Sequence, residues 1–207
     1  MITLSKIVPV VFLLLGFFLL MQVALPILSY KIWEIQNIQP DMLLVSPVVS
    51  SQKVLGVSIQ NKDNFSAIVS SLTREIKPDY NYFYISIPSL KISEAKVLVD
   101  SNDLDSGLVH LPGSALPGEK GNVFISGHSG IRQAIFAKLT DLKKGDQIKA
   151  SIMGSNFKYE VIAIKVVDPN DLSVVSPPDG QNRYLTLMTC VPPGLNVKRL
   201  IVLTKLI

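Results

Sequence analysis

Two stretches near the end of the chain alternate their side chains with a period of two, which is the periodicity of a β-strand. The first runs from Tyr184 to Cys190, and the second runs from Leu200 to Lys205. Between them, the Pro-Pro-Gly sequence at 192–194 ends the first strand and leaves a loop before the second. The pattern therefore predicts two neighbouring antiparallel strands inside a larger sheet.

This pairing would place Cys190 opposite Arg199 at the mouth of the connecting loop, because the last residue of one strand then faces the first of the next. Cys190 is the only cysteine among the 207 residues, so an intrachain disulfide is excluded. A nearby permanent cation favours the thiolate form of a cysteine. The alternative is that Cys190 is a small buried apolar residue and Arg199 part of a solvated rim.

A third residue type with a chemical role, His128, follows the apolar run 123–125 directly before a turn signal. A lone histidine can be purely structural. Here a thiol, an imidazole and a guanidinium all lie where a predicted strand meets a loop, and this set suits covalent catalysis by a Cys–His pair with an arginine on the oxyanion side.

The motifs around these residues resemble those of the sortases, cysteine transpeptidases that attach proteins to bacterial surfaces. TLMTC at 186–190 resembles the family's T-L-x-T-C motif, and GLVHLPGSALPGEKGNVFISGHS at 107–129 resembles the stretch that leads to its catalytic histidine. FAKLTDLKKGDQI at 136–148 resembles the segment after it, and CVPPGLNVKRLIV at 190–202 places an arginine nine positions after the cysteine. The resemblance covers roughly residues 80–206.

The resemblance implies a closed β-barrel of about eight strands with short helices. It also implies that Cys190 is the nucleophile, that His128 carries the proton and that Arg199 stabilises the oxyanion or the substrate backbone. Thr189 is a weaker candidate for lining the substrate groove, and His110 is interpreted as structural. Neither a cofactor nor a metal ion is implied.

By the same resemblance, the substrates are surface proteins with a C-terminal sorting signal of the LPxTG type, cut after its threonine. The acceptor would be an amine, such as that of a peptidoglycan precursor or a pilin lysine. The sequence has VPPG after the cysteine where several subclasses have TPYG, and it lacks a clear lid motif and a second apolar span. These departures make pilus assembly a less favoured role and leave the sorting-signal sequence open.

Residues 7–28 form an apolar stretch that is long enough to span a bilayer as a helix and too long for the core of a signal peptide. The sequence thus predicts a single-pass anchor in a bacterial cell membrane, preceded by one short tail, with the catalytic domain on the extracytoplasmic side as the family resemblance favours. Residues 1–30 would be tail and anchor, 31–79 a stalk with a short helix at 64–75, and 80–207 the catalytic domain.

From residue 80 onward, short alternating stretches separated by Gly, Pro and Asp predict an all-β domain. Strands are expected at 80–88, 91–100, 121–127, 146–153 and 157–168 besides the two C-terminal ones, with one helical turn at 135–142. This pattern alone does not distinguish a sandwich from a barrel.

The net charge of +4 is spread along the chain without long basic runs, so nucleic-acid binding is not indicated.

Two other functional classes fit the same residues. An extracytoplasmic cysteine protease would hydrolyse the same acyl-enzyme with water instead of an amine. A non-catalytic, membrane-tethered β module would keep the barrel and leave Cys190 inert. A papain-like arrangement is disfavoured, because there the cysteine precedes the histidine and begins a helix, whereas here it follows the histidine and precedes two prolines.

Overall fold

A computed structural model describes residues 4–37, 78–130, 134–194 and 196–207, and the chain divides into two units, Met1–Gln39 and Pro40–Ile207. The first unit is one helix, α1 (Leu4–Asn37). Its segment Pro9–Ser29 is long and apolar enough to cross a membrane, by length and composition. The helix continues past residue 30, where the sequence predicted the stalk to begin. The short helix predicted at 64–75 lies outside the described residues.

The second unit is a closed, eight-stranded β-barrel, as predicted, with the strand order β1-β2-β3-β4-β7-β8-β6-β5. Closure gives each strand a neighbour on both sides and leaves no free sheet edge. The strands are β1 (Tyr82–Ile87), β2 (Ile92–Leu98), β3 (Leu108–His110), β4 (Gly121–Ser126), β5 (Gln147–Ile152), β6 (Ser155–Val167), β7 (Arg183–Val191) and β8 (Lys198–Leu206).

The sequence patterns missed one strand and oversimplified the helical turns. β3 has only three residues, which is too short for an alternating pattern to be recognised. The helical turn predicted at 135–142 is a 3₁₀ turn confined to Leu139–Asp141, and it is one of several. The other 3₁₀ turns of the described residues are Pro88–Leu90, Leu104–Ser106 and Leu172–Val174.

Two neighbouring strands of the barrel, β4 and β7, are buried along nearly their whole length. They pair in parallel, with Gly121 opposite Arg183 and Ser126 opposite Met188. Strands buried on both faces carry continuous apolar runs instead of clean alternation, and Val123, Phe124 and Ile125 form such a run. Because the pairing is parallel, β4 and β7 end at the same rim of the barrel.

The start of β7 is held by a polar cluster around Asp179. Its carboxylate accepts hydrogen bonds from the Tyr184 hydroxyl (2.5 Å), from the Asn182 side chain (2.8 Å) and from the backbone N–H groups of Gln181 and Asn182 (2.9 and 2.8 Å). The Tyr184 bond, followed by the Asn182 and Gln181 bonds, holds the pKa of Asp179 well below its usual range. Burial and the Asp179 carboxylate raise the pKa of Tyr184 to about 12.

We expect Asp179→Asn to be less stable than the wild type at pH 7, and we expect this difference to shrink in acid. Because the pKa of Asp179 is lower in the folded chain than in the unfolded chain, its ionised carboxylate stabilises the fold at pH values above the ordinary aspartate pKa of about 4. That contribution is lost as the pH falls further. Urea unfolding of the full chain in detergent, followed by near-UV circular dichroism at pH 7 and pH 3, measures the two differences. An equal difference at both pH values would contradict this role, and Asp141→Asn, an exposed carboxylate outside the cluster, is the matched control.

Candidate active site

Cys190 lies one residue before the end of β7, where the strand emerges from the core. Both preceding threonines of the motif are hydrogen-bonded: the Thr186 hydroxyl donates to Asn122 Oδ1 (2.9 Å), and the Thr189 hydroxyl donates to the carbonyl of Gly127 (2.7 Å). Both threonines are buried, whereas Cys190 is partly exposed. The strand thus fixes the backbone of Cys190 while its thiol faces the rim.

Arg199 lies directly opposite Cys190 in the antiparallel β7–β8 pair, which confirms the predicted register. Its Nη1 donates to Asn196 Oδ1 (2.6 Å) and to the carbonyl of Lys198 (3.2 Å). The Cys190 Sγ lies 3.1 Å from the same Asn196 Oδ1. The Oδ1 atom of Asn196 is therefore within hydrogen-bond distance of both the Cys190 thiol and the Arg199 guanidinium.

His128 reaches the same rim because β4 and β7 run in parallel. Ser126, the last residue of β4, is opposite Met188, and the Gly127 N–H donates to the Met188 carbonyl (3.1 Å). His128 comes two residues after Ser126, and Cys190 comes two residues after Met188. The two residues therefore lie at the same level along the paired strands. The imidazole is 34% exposed, and its Nε2 lies 3.8 Å from Oδ1 of the exposed Asp105. His128 is thus open to a ligand.

Two glycines and a serine pack the His128 loop against its neighbours. A Cβ atom at Gly127 would lie 2.5 Å from Leu108 Cδ2, and one at Gly130 would lie 2.2 Å from the backbone nitrogen of Gly194. The Ser129 hydroxyl donates to the Cys190 carbonyl (2.6 Å). None of these three residues was predicted as a site residue from the sequence, although the S-G-H-S-G spacing around His128 was available as a signal.

Cys190, His128 and Arg199 line one cavity of about 640 Å³. Its deeper part is apolar, and its mouth carries the three polar side chains together with Asn196 and Asn102. One packed cluster of the apolar wall consists of Leu111, Phe124, Val167, Val174, Val175, Met188 and Ile201. Next to Arg199 in the chain, Lys198 forms an ion pair with Asp168 (2.6 Å). A thiol, an imidazole and a directed cation beside an apolar cavity can perform nucleophilic acyl chemistry on a peptide.

The two remaining sequence candidates make polar contacts that do not involve the reacting groups. Thr189 belongs to the cavity wall, but its hydroxyl proton is used in the bond to Gly127. Its role in the substrate groove stays a prediction. His110 is fully buried: its Nε2 lies 2.9 Å from the Ala115 carbonyl, and its Nδ1 lies 3.3 Å from Asp100 Oδ1. These contacts agree with the structural role predicted for it.

Among the residues that the structure describes, no group of three or more His, Cys, Asp or Glu side chains is arranged to hold a metal ion.

A closed eight-stranded barrel with a thiol, an imidazole and a guanidinium around one cavity defines a cysteine-enzyme scaffold. The sortase domain model matches residues 85–207, more than half of the chain, and the chain therefore belongs to the sortase family.

Curated relatives support this membership. Sortase D of Bacillus subtilis (strain 168) is 34% identical over 93 residues, which cover 45% of this chain and 45% of that protein. Sortase A of Listeria monocytogenes is 27% identical over 150 residues, which cover 68% of this chain and 66% of that protein. The chain matches about half of the length of the Bacillus relative.

Solved structures agree with the fold. Sortase A from Corynebacterium diphtheriae has a TM-score of 0.57 at 34% identity and covers 74% of this chain and 73% of its own. The sortase D5 transpeptidase of Clostridium perfringens has a TM-score of 0.56 at 29% identity, covering 70% and 92%. Sortase C of Clostridium perfringens, solved with the C-terminal cell wall sorting motif, has a TM-score of 0.56 at 28% identity, covering 70% and 86%.

Proposed function

We propose that this protein is a membrane-anchored cysteine transpeptidase that cleaves a C-terminal sorting signal and joins the new carboxyl end to an amine on the cell surface. The observation that carries the proposal is that Cys190, Arg199 and His128 line one cavity with an apolar interior. Family membership adds the reaction class.

In the first half-reaction, the Cys190 thiolate attacks the carbonyl carbon of the scissile peptide bond. Arg199 donates hydrogen bonds to the developing oxyanion or to the neighbouring substrate backbone. The C–N bond then breaks, His128 gives a proton to the leaving amine, and an acyl thioester remains on Cys190.

In the second half-reaction, an incoming amine attacks the thioester and passes a proton to His128. The C–S bond breaks, a new amide forms, and Cys190 is released as a thiolate. The sum is an exchange of one amine for another at the same carbonyl, without oxidation or reduction.

The proposed substrate is a surface protein with an LPxTG-like signal cut after its threonine, and the proposed acceptor is an amine of a peptidoglycan precursor or a pilin lysine. The apolar cavity wall beside Cys190 supports a signal that begins with an apolar side chain. The similarity to a sortase C solved with a cell wall sorting motif supports the same class of ligand.

The proposed location is the bacterial cell membrane, with the barrel outside the cytoplasm. Support comes from the apolar segment Pro9–Ser29 of α1, since a helix of this length satisfies its own backbone hydrogen bonds within lipid. Acceptors on the cell surface would then be within reach of the barrel.

Product analysis tests this function directly. The full chain in detergent is incubated with a set of sorting-signal peptides, with and without an added short glycine peptide as the amine. A transpeptidase produces the ligated peptide when the amine is present. Formation of the hydrolysed acid alone, at the same rate with and without the amine, would identify a protease instead.

Arg199→Lys should lower kcat about a hundredfold, the loss typical of one directed oxyanion bond. Lysine keeps the positive charge but loses the planar fork that holds two oxygen atoms at once. In the structure, the guanidinium uses Nη1 for two oxygen acceptors. Steady-state cleavage of a sorting-signal peptide measures the change.

The alkylation rate of Cys190 in the same variant separates geometry from charge. If Arg199 acts through directed bonds, kcat falls while alkylation is unchanged. A parallel fall in both quantities would reduce Arg199 to an electrostatic neighbour of the thiol, and an unchanged kcat would remove it from the mechanism.

A further inference from the structure

Asn196, in the loop between β7 and β8, contacts both of the groups that face each other at the rim. Its Oδ1 lies 3.1 Å from Cys190 Sγ and 2.6 Å from Arg199 Nη1. The carboxamide thus occupies the space between the thiol and the guanidinium, on the exposed side of the cavity mouth.

The orientation of this carboxamide follows from the chemistry of arginine. A guanidinium has only donors, so the Asn196 atom that faces it must be the oxygen and not the NH₂ group. The same oxygen faces Cys190. Since an amide oxygen can only accept, the cysteine must be the donor, which requires a neutral S–H group. A thiolate in this position would meet the negative end of the amide dipole.

This arrangement is opposed to the state that the proposed reaction needs. Attack requires the thiolate, and the Arg199 Nη1–H that bonds to Asn196 is not available to a substrate oxygen atom. When the Asn196 carboxamide leaves its place, this Nη1–H is released, and the Cys190 proton can pass to His128, the proton carrier of the proposed reaction.

We propose that Asn196 is a positioning residue that holds the resting site with Cys190 protonated and Arg199 occupied, and that a backbone carbonyl of the bound substrate replaces the Asn196 oxygen on Arg199. The inference deepens the proposed transpeptidase function and rests on it for the identity of the substrate. It makes substrate binding the event that frees the thiol.

The backbone around Asn196 is suited to such a displacement. Asn196 has a φ of 37°, in the left-handed region that asparagine tolerates better than most residues. Its side chain is exposed, and that of the neighbouring Val197 is 57% exposed. Moving the carboxamide away would therefore uncover little apolar surface.

The charged and titratable groups at this rim and beside it come from several elements. Arg199 faces it from β8, and His128 lies in the loop after β4, with Asp105 3.8 Å beyond the imidazole. Lys198 is engaged by Asp168. Of these groups, Arg199 is the one that the Asn196 oxygen holds.

The alkylation rate of Cys190 by iodoacetamide at pH 7 tests the proposal in the full chain in detergent. Cys190 is the only cysteine, so the mass of the intact protein reports the reaction at this one thiol. Asn196→Gly removes the carboxamide and still allows the positive φ. We expect it to accelerate alkylation about fivefold, the effect of losing one ordinary hydrogen bond. Asn196→Asp keeps an acceptor oxygen and should react at the wild-type rate or more slowly.

Two matched controls identify the cause. Val197→Ala alters the same loop without touching the thiol, and Asn156→Ala removes a carboxamide that accepts from Ser151 in the β5–β6 hairpin. Both should alkylate at the wild-type rate. The proposal is wrong if Asn196→Gly alkylates no faster than the wild type, or if Val197→Ala accelerates the reaction equally.

This measurement does not depend on turnover. Failure of the proposed function would appear as the absence of ligated product from any sorting-signal peptide, while alkylation would still be readable. Failure of the Asn196 proposal would appear in alkylation alone, with transpeptidation intact.

Discussion

Replacing Cys190 by alanine should abolish cleavage of sorting-signal peptides, with a loss of more than about 10³-fold, the scale seen when an enzyme loses its nucleophile. No other side chain of this chain carries a thiol, so no second cysteine can take over the acyl group. The fold should survive, because Cys190 is partly exposed at the rim and its Sγ bonds to the exposed Asn196. We expect a stability loss of at most about 1–2 kcal/mol.

The measurement compares peptide cleavage and urea unfolding of the wild type and Cys190→Ala under the same conditions. Met153→Ala is a matched control, since this side chain is 78% exposed in the turn between β5 and β6. Cleavage by Cys190→Ala at a rate near that of the wild type would contradict the acyl-thioester mechanism. A cooperative unfolding transition near that of the wild type is needed to assign the loss of activity to the thiol.

The antiparallel β7–β8 pair could be predicted from the sequence because it depends on local information. Alternating side chains mark both strands, and the prolines at 192 and 193 mark the loop between them. Once the ends of the two strands are known, the pairing of Cys190 with Arg199 follows from counting residues on either side of the loop.

The approach of His128 to Cys190 could not be derived in the same way. It depends on the parallel pairing of β4 with β7, which lie about sixty residues apart, and parallel partners are not joined by a short turn that would reveal the register. His128 and Cys190 could be assigned to one site only from their chemical types and from the family resemblance, and not from a predicted geometry. The pairing of β2 with β3 is also parallel, and it was missed because β3 is too short for its alternation to be recognised.

Asn196 and Ser129 were missed because they carry no chemistry of their own. An asparagine after a Pro-Pro-Gly loop is an ordinary turn residue by sequence. Its contacts with both Cys190 and Arg199 exist only because β8 returns beside β7. Likewise, the bond from Ser129 to the Cys190 carbonyl requires the loop after β4 to lie against the end of β7.

His128→Gln should lower kcat by about 10²- to 10⁴-fold, the range found for a lost general acid or base. Glutamine keeps a polar side chain at the rim, but it cannot take up or release a proton near neutral pH. The proposed reaction uses His128 twice, first to protonate the leaving amine and then to accept a proton from the incoming one. Both half-reactions should therefore slow down.

The pH dependence of kcat/KM gives a sharper test than the size of the loss. In the wild type, one group must be deprotonated and one protonated, which produces a bell-shaped profile that belongs to Cys190 and His128 as a pair. In His128→Gln the acid partner is gone, so the residual rate should rise with pH as the thiolate forms and should not fall again on the alkaline side.

Asp105→Asn is the matched control for charge near the imidazole. The Asp105 carboxylate is 87% exposed and lies 3.8 Å from Nε2, and exposed ion pairs contribute little, about 0–1 kcal/mol. Its removal should leave the bell shape and change the rate less than about fivefold. A bell that persists in His128→Gln, lowered only in height, would show that another group carries the proton, and the assignment of His128 would then be wrong.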